Sequence, residues 1–164
     1  MHIRAEHTGT GPGREDDRMR KLLLIQGANM AWLGRRQPEL YGTTTAAELD
    51  ALLRDDAMRR NCELDILYTH LEGVAIERLY TAADDGTEGL LMNPAGFLFA
   101  GYALRDCLRA VRLPYVEVHM TNIDRRGVHS VLAEVADGVI AGFGVQSYRL
   151  GLDALLHRLE HPAS

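Results

Sequence analysis

Three places in this sequence hold side chains that could move protons. Glu117 and His119 lie two residues apart in the run YVEVHM (115–120). In an extended strand that spacing puts both on the same face. A histidine capping a strand end is the plain alternative, but a carboxylate in an otherwise apolar strand needs a partner. Arg36 and Tyr41 lie five residues apart in GANMAWLGRRQPELYG (27–42). A free phenol ionises near pH ~10 and needs help to do so at neutral pH. A guanidinium beside it favours the phenolate, which is a base. Outside any motif, a surface tyrosine and a solvated arginine would be the better reading of that pair. Asn29, in the same segment, carries a donor that could face a developing oxyanion. It is also the residue type that most readily takes a left-handed turn conformation. Chemistry of this kind, proton abstraction and return, needs no metal or organic cofactor, and the sequence offers no ligand cluster for one. Cys62 and Cys107 stand alone, outside any C-x-x-C or Cys/His spacing, and read as buried reduced thiols.

The elements that must position these groups follow from the pattern of the chain. It has 164 residues, 46% hydrophobic and 25% charged, which suits a single domain with one core. The net charge is −5 with no basic block, so nucleic acid is not an expected partner. No apolar run approaches the ~20 residues that cross a bilayer, and the polar N-terminus lacks a signal peptide, so a cytoplasmic location is expected. Residues 1–20 are rich in Gly and charge and are expected to be a disordered tail before a domain over 21–160, with Met1 and Met19 both candidate starts.

From residue 21 short apolar runs alternate with helical patterns. KLLLIQ (21–26), ELDILYT (63–69), EGLLMN (88–93), YVEVHM (115–120) and GVIAGF (138–143) read as strands. Helices are expected over about 45–61, opened by a Thr45/Glu48 capping box, and over about 72–83, 98–112 and 145–160. The third of these stops before Pro114. Val74, Ile76, Leu79 and Tyr80 are expected among the apolar positions of the second, and Tyr148, Leu152, Leu155, Leu156 and Leu159 on the apolar side of the last. Five strands alternating with helices predict an α/β fold, a parallel sheet with helices on both faces. Ligands bind such sheets at the C-terminal strand ends, which directs attention to the segments 27–42, 93–99 and 119–131.

Those segments, with VADGVIAGFGVQSYRLGL (135–152), carry a family pattern. The chain resembles the type II 3-dehydroquinate dehydratases, which show GPN, LG-x-R-x-P-x-x-YG, NP-G-A-Y-T-H-T-S-x-ALRD, VEVH-[IL]-SN and ADG-VI-x-G-x-G-x-QGY in this order. The match runs over about 21–158. It implies a flavodoxin-like three-layer sandwich, a small cyclic ketone as substrate, no cofactor, and a homo-oligomer of trimers grouped into a dodecamer. It also implies roles. Tyr41 is the base, and Arg36 the essential arginine beside it. Asn29 positions a water that stabilises the enolate. His119 protonates the departing hydroxyl, and Glu117 fixes its tautomer. Asn93, with the backbone around Met120 and Thr121, binds substrate. Asp106 matches an acid that reaches a neighbouring subunit's site, although a surface role on its helix is an equal reading.

The sequence also departs from the pattern. T-H-T-S has become Leu98-Phe99-Ala100-Gly101, so Phe99 stands where a histidine holds ring hydroxyls. Ala28 replaces the Pro of GPN. Q-S-N-x-EG has become Tyr68-Thr69-His70-Leu71-Glu72-Gly73, and GAY has become Ala95-Gly96-Phe97. The stretch after VEVH-x-[ST]-N reads IDRRGVHS (123–130), in which Arg125 or Arg126 stands for the family's hydroxyl-binding base. Trp32 sits in the loop beside the lid, where it could line the pocket. Groups for making the enolate are kept while those facing the hydroxylated side of the ring turn apolar. The expectation is therefore a lyase for a less hydroxylated or more apolar cyclic ketone, with an authentic 3-dehydroquinate dehydratase as the alternative. A non-catalytic assembly subunit is a further alternative. A flavin- or phosphate-binding module lacks the Ser/Thr-bearing first loop, and a phosphoacceptor domain lacks the acidic residues that Gln26-Gly27 and Asn93-Pro94 replace.

Overall fold

A computed structural model of the chain describes residues 18–162. Five strands form one sheet: β1 (Arg20–Ala28), β2 (Cys62–Tyr68), β3 (Gly89–Ala95), β4 (Tyr115–His119) and β5 (Gly138–Ala141). Every pairing is parallel, and the order is β2-β1-β3-β4-β5. Five helices connect or flank them: α1 (Pro38–Tyr41), α2 (Ala46–Arg59), α3 (Glu72–Asp84), α4 (Tyr102–Val111) and α5 (Gln146–Glu160). This is the flavodoxin-like three-layer arrangement.

Strand geometry makes the layers. Successive side chains of β1 point to opposite faces. Leu22 and Leu24 join Leu49 and Leu53 of α2 and Leu152 and Leu155 of α5 in one core. Leu23 and Ile25 join Leu79 of α3 and Leu104 and Leu108 of α4 in the other. A strand buried on both faces therefore reads as a continuous apolar run. Gly151 lets α5 settle onto the sheet, since a Cβ there would stand 2.5 Å from Val118 Cγ2. α2 begins as expected, with Thr45 and Glu48 forming a reciprocal capping box. Cys62 and Cys107 are free and buried, and burial pushes both thiols up.

Several expected boundaries move. Of the expected tail, residues 1–17 lie outside the described residues. Its last positions are structured: Arg20 already belongs to β1, its N–H bonded to Asn61 O at 3.0 Å, and Arg18 pairs with Glu88 at 3.1 Å. The helix expected over 98–112 is two pieces, a 3-10 turn (Gly96–Phe99) and then α4 from Tyr102. At Gly101 the backbone comes so close to Phe97 O that a Cβ would lie 2.6 Å from it. The last strand ends at Ala141 rather than at 143, because Gly142 turns to φ 100°. On α3 the buried positions are Ala75, Leu79 and Ala82, while Val74 and Tyr80 face outward. α1 was not foreseen. Four residues carry no periodicity, although Pro38 at its first position is a start signal. Among the described residues no helix is long and apolar enough to cross a membrane.

The order of strands reverses between β1 and β3: from β1 the chain goes to β2 on one side, and from β3 to β4 on the other. A parallel sheet opens a crevice at such a point, at the C-terminal strand ends.

Candidate active site

That crevice is a cavity bordered by the exits of β1, β3 and β4. On β4, three polar side chains share one face at period two. Tyr115 Oη donates to Glu117 Oε2 at 2.6 Å, and Glu117 Oε1 lies 2.6 Å from His119 Nε2. Glu117 is 0% exposed, so each of its oxygens needs a donor, and each has one. Burial first, and then the Glu117 carboxylate, pushes the Tyr115 phenol well above its ordinary value, so Tyr115 stays a donor. With Nε2 held by the carboxylate, Nδ1 is the nitrogen left for the cavity that His119 lines. The ladder aims an imidazole from the strand end and fixes its tautomer.

The opposite side of the cavity comes from the segment after β1. Gly27 allows the strands to meet there: a Cβ on it would lie 2.0 Å from Pro94 O. Asn29 follows in the left-handed conformation, φ 78°. It turns the chain, as a left-handed asparagine does, and it also lines the cavity. Its backbone N–H donates to His70 Nδ1 at 3.0 Å. A 3-10 turn (Met30–Trp32) and α1 then bring Arg36 and Tyr41 to the cavity. The Arg36 guanidinium lies over the Tyr41 ring, 5.0 Å from its centroid. A second guanidinium reaches the phenol oxygen: Arg126 Nη1 is 3.5 Å from Tyr41 Oη and donates to Thr121 Oγ1 at 3.0 Å.

The floor is a buried polar chain. Asn93 Nδ2 donates to Tyr148 Oη at 2.8 Å, and Tyr148 Oη donates to Gln26 Oε1 at 2.7 Å. Asn93 Oδ1 accepts from Ala95 N–H at 3.1 Å. This chain ties β3 to α5 and β1 directly under the cavity. Burial holds the Tyr148 phenol protonated by pushing it up. Ala95, next on the cavity wall, sits at φ 46° and ψ −120°, a region suited to glycine.

Most residues singled out from sequence converge. Asn29, Arg36, Tyr41, Asn93, His119, Met120 and Thr121 all line the cavity, with Glu117 directly behind His119. Phe99 also borders it, but at 66% exposure its ring stands at the mouth rather than inside. Asp106 is exposed on α4, outside the cavity of its own chain. Trp32, 57% exposed, is not a wall residue. Of the two undecided arginines, Arg126 lines the cavity and Arg125 is exposed outside it. Sequence reasoning did not include Tyr115, although the same period of two that pairs Glu117 with His119 reaches it. His70 and the Gln26–Tyr148 link had no local signal, because their partners are distant in the chain.

Comparison with known proteins gives the family and the fold. The family model described as Dehydroquinase class II matches residues 20–156. A 3-dehydroquinate dehydratase of Xanthomonas oryzae pv. oryzae is 48% identical over 145 residues, covering 87% of this chain and 98% of that protein. One from Xylella fastidiosa is 44% identical over 144 residues, covering 86% and 97%. Among solved structures, a type II dehydroquinase from Propionibacterium acnes superposes with a TM-score of 0.80 at 34% identity, covering 85% and 98%. One from Butyrivibrio crossotus gives 0.80 at 30%, covering 84% and 97%. These relatives do not support the expected change of substrate. Proteins named 3-dehydroquinate dehydratase share nearly half of all aligned positions, Phe99 stands at the mouth, and Arg126 brings a cation to the cavity wall.

Proposed function

The chain belongs to the class II dehydroquinase family and is a hydro-lyase, and from that premise we propose that it dehydrates 3-dehydroquinate through an enolate. The observation that carries this reading is the convergence on one cavity of Tyr41, with Arg126 at its oxygen, and of His119, with Glu117 behind it. A base and an acid that meet across a single cavity fit an elimination in two proton transfers.

In this reading the ionised Tyr41 takes the proton from the carbon next to the substrate's carbonyl. The electron pair moves onto the carbonyl oxygen, giving an enolate. The guanidiniums of Arg36 and Arg126 stand against the phenol, where their charge faces that of a phenolate. The Asn29 carboxamide orients a water toward the enolate oxygen, where a preorganised donor stabilises charge as it develops. The enolate then collapses, the carbon–oxygen bond to the leaving hydroxyl breaks, and His119 delivers a proton to that oxygen from Nδ1. The products are water and a conjugated enone. Glu117 keeps the imidazole oriented and offsets its positive charge between turnovers. Asn93, the backbone at Met120 and Thr121, and Arg126 hold the hydroxylated ring. An Arg126 guanidinium does what the missing histidine at position 99 would have done.

The test is a continuous ultraviolet assay of enone formation from 3-dehydroquinate, run on the intact chain and on Tyr41→Phe. The expected result is turnover that Tyr41→Phe lowers by about 10²–10⁴-fold. A folded protein that does not turn over 3-dehydroquinate would sink the assignment of substrate. For assembly we propose a trimer-based homo-oligomer, dodecameric when complete, in which the exposed Asp106 approaches a neighbouring subunit's cavity.

A further inference from the structure

We infer that His70 is a positioning residue for Asn29, and that its protonation state sets whether the enolate-stabilising loop is held in place. The inference rests on the role proposed for Asn29. His70 Nδ1 accepts the Asn29 N–H at 3.0 Å across 41 residues of sequence, joining the β2–α3 connection to the exit of β1. Asn29 sits at φ 78°, ψ 0° with no capping bond from its own side chain. The turn that follows it leans on the same residue, with Trp32 N–H bonded to Asn29 O at 3.2 Å. Behind it, Gly96 packs against the loop: a Cβ there would lie 3.0 Å from Ala28 Cβ and 3.5 Å from Asn29 Nδ2. The bond to His70 therefore ties down the backbone of a residue that lines the cavity.

The acceptor is a titrating one. A neutral imidazole accepts at Nδ1 only with its proton on Nε2, while an imidazolium donates at both nitrogens. Protonated His70 would present N–H to N–H, and the bond is lost. The contact is therefore present with neutral His70 and absent with protonated His70. In the type II pattern this position is Asn, whose carbonyl accepts at any pH, so the dependence belongs to this chain. Charged groups on the neighbouring segments have partners of their own. Glu72 on its own connection accepts from Leu104 N–H at 2.8 Å. Arg35 and Arg36 on the β1 exit lie over Trp32 and Tyr41. Arg105 of α4 pairs with Glu134 at 2.6 Å. The exit of β3, residues 94–99, carries no ionisable side chain.

Trp32, the single tryptophan of the chain and part of the turn that follows Asn29, reports on the loop without any need for turnover. The experiment follows Trp32 emission of the intact protein between about pH 8 and about pH 5, for the natural chain, His70→Asn and His70→Ala, together with kcat and KM on 3-dehydroquinate. The natural chain should show a one-proton step in emission and a matching acid limb in kcat. His70→Ala should lose about tenfold in kcat with KM little changed. His70→Asn should rescue kcat and lose the emission step. A step common to all three proteins comes from other groups and cancels. An emission step undiminished in His70→Asn, or a His70→Ala enzyme with unchanged kcat, overturns the inference. If 3-dehydroquinate is not turned over at all, the substrate assignment fails, while the emission titration still decides the link from His70 to Asn29.

Discussion

Tyr115 shows how one residue supports chemistry that it does not perform. Its hydroxyl satisfies the second oxygen of a fully buried carboxylate. Tyr115→Phe leaves that oxygen without a donor, which costs on the order of 1–3 kcal/mol. The expected outcome is a lower urea midpoint together with a kcat reduced less than in Tyr41→Phe, measured on the same preparation. Ala95 shows the opposite case, a residue that costs stability where it stands. A side chain at φ 46°, ψ −120° is strained by on the order of 1–3 kcal/mol. Glycine adopts this conformation freely and gives back about 0.5–1 kcal/mol in unfolded-chain entropy. Ala95→Gly is therefore expected to raise stability by about 1 kcal/mol, read as a shift in the urea midpoint at unchanged slope. A lower midpoint would mean that the Ala95 methyl contributes packing that outweighs the strain.

At the scale of elements, connections carry much of the electrostatics. The turn from α3 to β3 is tied to the sheet through Asp85. Partial burial pushes its carboxyl up, but bonds from Thr87 and Lys21 and the nearby Arg78 outweigh this and bring it down to about 2. Lys21 Nζ stands 2.9 Å from it, which anchors the turn to β1. The sign follows from the direction. A carboxyl depressed in the folded state adds stability above its unfolded value, 3.8, and that contribution is lost as pH falls toward about 2. Solvent screening keeps it well under about 2 kcal/mol, because water still reaches the half-buried carboxyl. Asp85→Asn should therefore be less stable than the natural chain near neutral pH and converge with it by about pH 2, in melts recorded across that range. A constant difference at every pH would place the effect in the turn's hydrogen bonds rather than in the charge.

At the scale of the molecule, the unfinished surface is on the α3–α4 side. Leu71, Val74, Phe99 and Tyr102 are large, apolar and exposed there. Exposed apolar side chains of this size suit an association face. The expected outcome of light scattering during gel filtration is a mass that is a multiple of three chains. A monomer that turns over 3-dehydroquinate would show that the cavity is complete within one chain and would remove Asp106 from the site.

Much of this was legible in the residues alone. Continuous apolar runs such as Leu22–Ile25 announce strands buried on both faces, because both faces meet helices. Thr45 and Glu48 announce the start of α2, because a capping box is closed within four residues. Glu117 and His119 announce a shared face, because period two is a property of any strand. Relations set by distant segments were not legible. Which of Arg125 and Arg126 enters the cavity depends on how the turn after β4 folds back over Thr121. The left-handed Ala95, the His70 bond to Asn29, and the Gln26–Tyr148–Asn93 floor exist only where separate strands and α5 converge. Local patterns record the constraints that a residue shares with its neighbours in the chain. The strand order β2-β1-β3-β4-β5 decides which loops meet, and with them the site, because only the packed sheet brings those loops to one edge.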